Sequence, residues 1–136
     1  MSESTHVNGS VVPDSNAVVA LLAGDASIAA RLNAATEVLL AAAVLGELRY
    51  GALNSTRVEE NLDRLDEFSS MCRFVPITEP VVHAYSELRL QLKKKGRPAP
   101  ENDIWIAATA KSLDATVITD DAHFASFTGL RVEPVG

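Results

Sequence analysis

Four acidic residues, distant from one another in the sequence, occupy positions from which their carboxylates could share a metal ion. Asp14 directly follows a short β-branched run, and Asp121 follows a second such run. Asp103 stands in the first turn of a predicted helix, and Glu47 lies within another helix beside small residues. Gathered carboxylates repel one another unless a cation neutralises them, and oxygen ligands of this kind suit Mg²⁺ or Mn²⁺. The four positions therefore predict a metal site whose bound water could attack a phosphodiester.

Short β-branched runs alternate along the chain with longer helical patterns, which indicates an α/β fold with a parallel sheet. Strands are predicted at residues 10–12, 37–41, 73–77, 116–119 and 130–133. Helices are predicted at residues 16–22, 27–34, 43–53, 56–70, 79–95 and 103–113. We expect Asn16 and Asn102 to cap the first and last helices, and Pro13 to end the first strand. Because the functional crevice of an open parallel sheet lies beyond the carboxyl ends of its strands, the acids that follow those strands should meet there.

Composition limits the classes of protein that remain possible. A chain of 136 residues, 47% of them apolar, is long enough for one sizeable core. A single cysteine, Cys72, excludes a disulfide within the chain, and no apolar run is long enough to span a membrane, so we expect a cytoplasmic protein. The histidines are too far apart in the sequence to predict a zinc site.

The net charge of −6, taken alone, argues against a nucleic-acid partner, but the distribution of charge weakens that objection. Five basic residues fall within positions 89–97, among them Lys93, Lys94 and Lys95. Two divalent cations at the acidic site would bring the charge from −6 to −2. These lysines and Arg49 are therefore predicted to contact substrate phosphates. A solvated helix end explains the basic strip equally well.

Four segments of the sequence resemble the motifs of PIN domains and, within that family, those of the VapC-type toxins of bacterial toxin–antitoxin pairs. The segments are Pro-Asp-Ser-Asn at 13–16, Gly-Glu-Leu-Arg-Tyr-Gly-Ala at 46–52, Glu-Asn-Asp-Ile-Trp-Ile-Ala-Ala at 101–108 and Thr-Asp-Asp-Ala-His-Phe at 119–124. They occur in the family's order and at similar spacing, and the resemblance extends from about residue 10 to residue 134. One such segment is a weak signal, whereas four in order are specific.

The resemblance assigns roles to particular residues. It implies a catalytic and metal-binding set that consists of Asp14, Glu47, Asp103 and Asp121. Ser15 and Thr119 would support these acids by hydrogen bonding. Asp120 stands at the variable position of the last motif, so it is the alternative to Asp121 as the fourth acid.

The same resemblance implies a fold, an activity and partners. The fold would be a three-layer α/β/α arrangement with a five-stranded parallel sheet, in a single PIN domain over residues 10–136 that follows a flexible leader over residues 1–9. The activity would be Mg²⁺- or Mn²⁺-dependent endonucleolytic hydrolysis of RNA by a metal-activated water. The chain would form a homodimer, and a cognate, VapB-like antitoxin would inhibit it.

Other functions remain open from the sequence. The chain could be a general RNA-processing PIN nuclease, or a non-catalytic PIN-like RNA-binding module, although such a module would usually have lost one or more of the four acids. A phosphotransfer enzyme or receiver domain fits poorly. Asn16 stands where a dehalogenase-like phosphatase would have its second aspartate, and Pro76 and Ile77 follow the third strand where a receiver domain would have its acceptor aspartate.

Overall fold

Five short parallel strands lie at the centre of the structure, a computed structural model that describes residues 9–136. The strands are β1 (Val11–Pro13), β2 (Leu39–Ala41), β3 (Arg73–Val75), β4 (Thr116–Ile118) and β5 (Val132–Glu133). All five were predicted, at slightly different bounds. The leader predicted for residues 1–9 lies, apart from Gly9, outside the described residues.

Hydrogen bonds group the strands into a three-stranded sheet in the order β1-β4-β5 and a two-stranded sheet of β2 and β3. Every pairing is parallel, and a single parallel bridge between Val11 and Val38 joins the two groups. The predicted five-stranded sheet is therefore present as two groups in the overall order β3-β2-β1-β4-β5.

Pro13 explains why β1 and β2 pair so briefly. The backbone N–H of Val11 donates to the carbonyl of Glu37 on the β2 side at 3.0 Å. The nitrogen of Pro13, two residues later, points to that same side of the strand and carries no hydrogen to donate. The prediction that the strand ends before Pro13 was wrong, because Pro13 still pairs with Ile118 on the β4 side.

Six α-helices connect the strands. They are α1 (Ser15–Leu22), α2 (Ala26–Ala34), α3 (Ala42–Leu53), α4 (Val58–Ser70), α5 (Glu79–Lys95) and α6 (Glu101–Ser112), and a 3₁₀ helix (Ala122–Ser126) follows β4. All three residues of β1, β2 and β4 are buried. Because successive residues of a strand point to opposite faces, both faces of the sheet must be covered, which is the predicted three-layer α/β/α arrangement.

Both predicted helix caps were wrong. Asp14, and not Asn16, caps α1, because its side chain accepts a hydrogen bond from the backbone N–H of Ala17. Asn102 lies inside α6, which begins at Glu101 after Pro100. The fixed backbone of proline starts that helix two residues early without a side-chain cap.

No single helix among residues 9–136 is long and apolar enough to cross a membrane. One pair, α1 with α2, reaches the required length and hydropathy only when the two are taken together, and it is bent by 113° at its break.

Candidate metal centre

Asp14 is held in place at the carboxyl end of β1. The pairing of Pro13 with Ile118 aligns the ends of β1 and β4, so that Asp14 and Thr119 leave the sheet side by side. Asp14 is 5% exposed. Its Oδ1 accepts a hydrogen bond of 2.8 Å from the N–H of Ala17, and its Oδ2 accepts one from the Thr119 hydroxyl. The same carboxylate thus caps α1 and faces the site.

Asp120 and Asp121, which follow β4, point to different surroundings. The N–H of Asp121 donates to the Thr119 hydroxyl at 2.9 Å, and this bond fixes the turn that brings the Asp121 carboxylate beside Asp14. The Asp120 carboxylate instead accepts a hydrogen bond of 2.8 Å from the N–H of Val135 near the C-terminus. Of these two neighbours, Asp121 is the one that lines the same pocket as Asp14 and Asp103.

Glu47 reaches the site from α3. The hydroxyl of Ser15, the first residue of α1, donates to Oε1 of Glu47 at 2.7 Å. This bond holds the carboxylate beside the end of β1. Ser15 and Thr119, both predicted as supporting residues, therefore each donate a side-chain hydrogen bond to one of the four predicted acids.

Asp103 enters from the first turn of α6, where free backbone N–H groups and the helix dipole favour negative charge. Its Oδ2 is buried and has no hydrogen-bond partner among the described residues. Nδ1 of His123 lies 3.7 Å from that oxygen, beyond hydrogen-bond distance. Asp103 therefore turns an unsatisfied carboxylate oxygen towards the other acids.

These side chains surround one cavity of about 440 Å³, which we call the acidic pocket. It is lined by Asp14, Ser15, Asn16, Glu47, Pro100, Glu101, Asn102, Asp103, Ile106 and Asp121. The structure thus brings together the four acids that were predicted to meet. Glu101 and Asn102 were not predicted as residues of the site, although they immediately precede Asp103 in the third motif.

Burial and the nearness of other carboxylates raise the pKa values of Asp14 and Asp103. Burial raises the pKa of Asp14, and the nearby carboxylates of Asp121 and Asp120 raise it further, against the hydrogen bonds from Thr119 and Ala17. The pKa of Asp103 is likewise raised, to about 6, and burial is the largest cause.

Repulsion from neighbours adds to the shift at Asp103. The carboxylates of Asp121, Glu47 and Asp14 raise its pKa, whereas His123 lowers it. A divalent cation would offset this repulsion between carboxylates. The buried Asp103 oxygen, which has no hydrogen-bond partner among the described residues, is available as a ligand for such a cation. The residues present therefore fit a hard divalent cation.

The predicted substrate-binding residues do not form one surface. Lys93 lines a second cavity, whereas the amino group of Lys95 donates to the carbonyl of Ser126 at 3.1 Å on another side of the helix. Lys94 and Arg49 are exposed, and neither belongs to the described lining of the acidic pocket.

Two aromatic residues of the motifs, Phe124 and Trp105, pack against other aromatic rings of the protein. Phe124 is fully buried and packs against Phe127, with ring centroids 5.7 Å apart. Trp105 stacks on Tyr85 with ring centroids 3.8 Å apart, which joins α6 to α5.

The sequence model of the PIN domain family matches residues 11–130. This chain therefore belongs to the PIN domain family.

Within that family, the chain is similar to proteins named ribonuclease VapC. Ribonuclease VapC2 of Rickettsia felis is 33% identical over 84 residues, which are 62% of this chain and 63% of that protein. Ribonuclease VapC5 of Mycobacterium tuberculosis is 34% identical over 87 residues, which are 62% of this chain and 64% of that protein. The matched region thus spans less than two thirds of the length of either relative.

A solved structure resembles the chain over more of its length. The structure of VapBC2 from Rickettsia felis, bound to a DNA fragment from its promoter, contains a chain with a TM-score of 0.83 and 26% identity. The match covers 92% of this chain and 98% of that one.

The raised pKa of Asp103 predicts how the stability of the metal-free protein depends on pH. The pKa is about 6 in the folded chain, against an ordinary value of 3.8, so folding favours the protonated acid. Stability should therefore be lost as the pH rises from about 4 to about 6, by up to about 3 kcal/mol in free energy of unfolding. In Asp103→Asn this loss should become smaller, because the variant has no charge to bury at this position and Asp14 is then the one of these two raised acids that still titrates.

Urea denaturation in EDTA between pH 4 and pH 7 measures the effect. Asp66→Asn, the same change at an exposed position on α4, is the control and should follow the wild-type curve. Parallel curves for Asp103→Asn and the wild type would contradict the assignment.

Proposed function

We propose that this protein is a divalent-metal-dependent endoribonuclease and the toxin of a type II toxin–antitoxin pair. The observation that carries the proposal is the convergence of Asp14, Glu47, Asp103 and Asp121 on one pocket, with a buried Asp103 oxygen that has no hydrogen-bond partner among residues 9–136. The relatives named ribonuclease VapC support the choice of RNA over other phosphodiesters.

In this proposal Asp14, Asp103 and Asp121 hold the Mg²⁺ or Mn²⁺ ion, directly or through water, and Glu47 binds it or orients the attacking water. The bound cation would lower the pKa of the attacking water and stabilise charge that develops on the phosphate. The Thr119 hydroxyl fixes the orientation of Asp14, and the Ser15 hydroxyl fixes that of Glu47. No side-chain nucleophile is required.

A basic groove next to the acidic pocket is proposed to hold the substrate strand. It has a volume of about 440 Å³, and its lining includes Arg89, Lys93 and Arg97. Glu101 lines both the groove and the acidic pocket, so the two cavities adjoin.

The three cations of the groove differ in their availability to phosphate. The Arg89 guanidinium donates to the Tyr85 hydroxyl at 2.7 Å and lies 3.6 Å from the Glu101 carboxylate. Within residues 9–136, no ion pair involves Lys93 or Arg97. We therefore propose that these two residues bind phosphates that flank the scissile bond.

An apolar groove on the other side of the acidic pocket is proposed to receive the antitoxin. The groove lies between α1, α3 and α4, has a volume of about 510 Å³, and shares Ser15, Asn16 and Glu47 with the acidic pocket. Its lining includes Val19, which is 55% exposed. An apolar helix face seated there would lie directly beside the acids.

We expect a homodimer that acts in the cytoplasm. A general RNA-processing role for the same site is the alternative, and growth arrest on expression would distinguish the toxin from it.

Loss of one metal-binding carboxylate should abolish cleavage. We expect purified, antitoxin-free protein to cut total cellular RNA with Mg²⁺ or Mn²⁺ and not with EDTA. Asp14→Asn and Asp103→Asn should each lower the rate by about 100-fold or more, because each removes charge that holds the cation. Asp66→Asn should retain the wild-type rate. RNA that is bound but never cut by metal-loaded wild-type protein would instead favour a binding module.

Neighbouring lysines on α5 test the basic groove. In an Asp103→Asn background, which prevents cleavage, Lys93→Ala should reduce the slope of log affinity for single-stranded RNA against log salt by about 0.7, the value for one lost phosphate contact. Lys94→Ala removes the same charge one residue away, outside the groove lining, and should leave the slope unchanged. Fluorescence anisotropy measures both, and equal effects of the two substitutions would rule out a specific path along the groove.

A charge placed in the apolar groove should separate toxicity from neutralisation. Co-expression of the cognate antitoxin, to be sought among small open reading frames beside the gene, is expected to relieve growth arrest by the wild type. Val19→Glu should remain toxic but escape this relief, because the groove can no longer bury an apolar face. Val82→Glu, at an exposed position on α5, is the control and should still be neutralised. Full neutralisation of Val19→Glu would exclude this groove.

A further inference from the structure

His123 stands at the edge of the acidic pocket, in the 3₁₀ helix that follows Asp121. Its Nδ1 lies 2.8 Å from Oδ1 of Asp121 and 3.7 Å from Oδ2 of Asp103. Phe124, the next residue, is fully buried and anchors the helix that carries the imidazole. The ring is therefore held close to two of the proposed metal ligands.

The three side chains have the spacing of ligands on one ion. Each of Asp103, Asp121 and His123 offers one ligand atom, and these atoms all lie within 4.8 Å of one another. In an octahedral site with bonds of 2.0–2.2 Å, adjacent ligand atoms are about 3 Å apart. The two distances from Nδ1, 2.8 and 3.7 Å, lie on either side of that separation.

The turn does not need the imidazole to hold its shape. The backbone N–H of His123 already donates to Oδ1 of Asp121 at 2.9 Å, and the N–H of Asp121 donates to the Thr119 hydroxyl. A hydrogen bond from Nδ1 to the same Asp121 oxygen would therefore repeat a constraint that the backbone supplies. With its proton on Nε2, the ring would therefore offer its Nδ1 lone pair to an ion without loss of the turn.

We propose that His123 is a nitrogen ligand of the divalent ion, together with Asp103 and Asp121, and that it makes this site prefer Mn²⁺ to Mg²⁺. The proposal rests on the metal centre of the proposed function. Imidazole binds the first-row transition metals well, whereas Mg²⁺ takes oxygen ligands and gives up its water reluctantly. A site of carboxylates alone would lack this source of discrimination.

Pulsed electron paramagnetic resonance on the Mn²⁺-loaded full chain tests the assignment without reference to activity. We expect ¹⁴N coupling to the Mn²⁺ electron spin in the wild type and its loss in His123→Gln. The matched control is His83→Gln, an exposed position on α5, which should keep the coupling. Calorimetry should show that His123→Gln weakens Mn²⁺ binding by about 10-fold or more and Mg²⁺ binding by less than about twofold.

The outcomes separate this inference from the proposed function. Bound Mn²⁺ without nitrogen coupling, or coupling that persists in His123→Gln, would overturn the role of His123 and leave the carboxylate centre intact. Equal weakening of the two metals would overturn the claimed preference. Failure of the wild type to bind either metal would overturn the metal centre itself, and this inference with it.

Discussion

Mutual repulsion of the carboxylates in the acidic pocket is the interaction that the surrounding structure must offset. Asp14 and Asp103 are both largely removed from water, and each has a raised pKa because burial and neighbouring acids oppose its charge. A fold that keeps such groups ionised must supply positive charge or hydrogen bonds. Part of that support comes from the protein, and the unsatisfied Asp103 oxygen marks what is left for a cation.

The protein's share of the support is built from local structure. Asp14 lies between β1 and α1, so its carboxylate accepts one hydrogen bond from a free N–H of the first helical turn and one from Thr119. The negative charge of Asp103 is favoured by the N-terminus of α6, which begins directly after Pro100. Thr119 contacts two of the acids, since its hydroxyl donates to Asp14 and accepts from the N–H of Asp121. These contacts orient the acids, but none of them adds a positively charged side chain.

Features of the site that depend only on a residue's position along a strand or a helix could be predicted from the sequence. Parallel strands place the residues after their carboxyl ends at one edge, so the meeting of Asp14 with Asp121 followed from two β-branched runs. The choice between adjacent polar residues could not be predicted in the same way. Asp14 and Asn16 can each cap a helix, and Asp14, which does so, is held beside β4 by a contact with Ile118 that is distant in the sequence.

Helical rotation limited the prediction for the basic strip. Successive residues of a helix are turned by about 100°, so Lys93, Lys94 and Lys95 face different directions although they are consecutive. Which of those directions meets a groove depends on α6 and the loop before it, and a local pattern in α5 does not contain that information. The same holds for Asp120 and Asp121, whose separation depends on the distant backbone of Val135.

The central claim is that the four acids hold a divalent cation, and anomalous diffraction from crystals soaked in Mn²⁺ tests it most directly. The account predicts a Mn²⁺ peak inside the acidic pocket, with carboxylate oxygens of Asp103 and Asp121 within about 2.3 Å of it. Each Asp14 oxygen keeps a second lone pair for the ion or its water. A pocket without anomalous density, at a Mn²⁺ concentration that supports RNA cleavage in solution, would contradict the account.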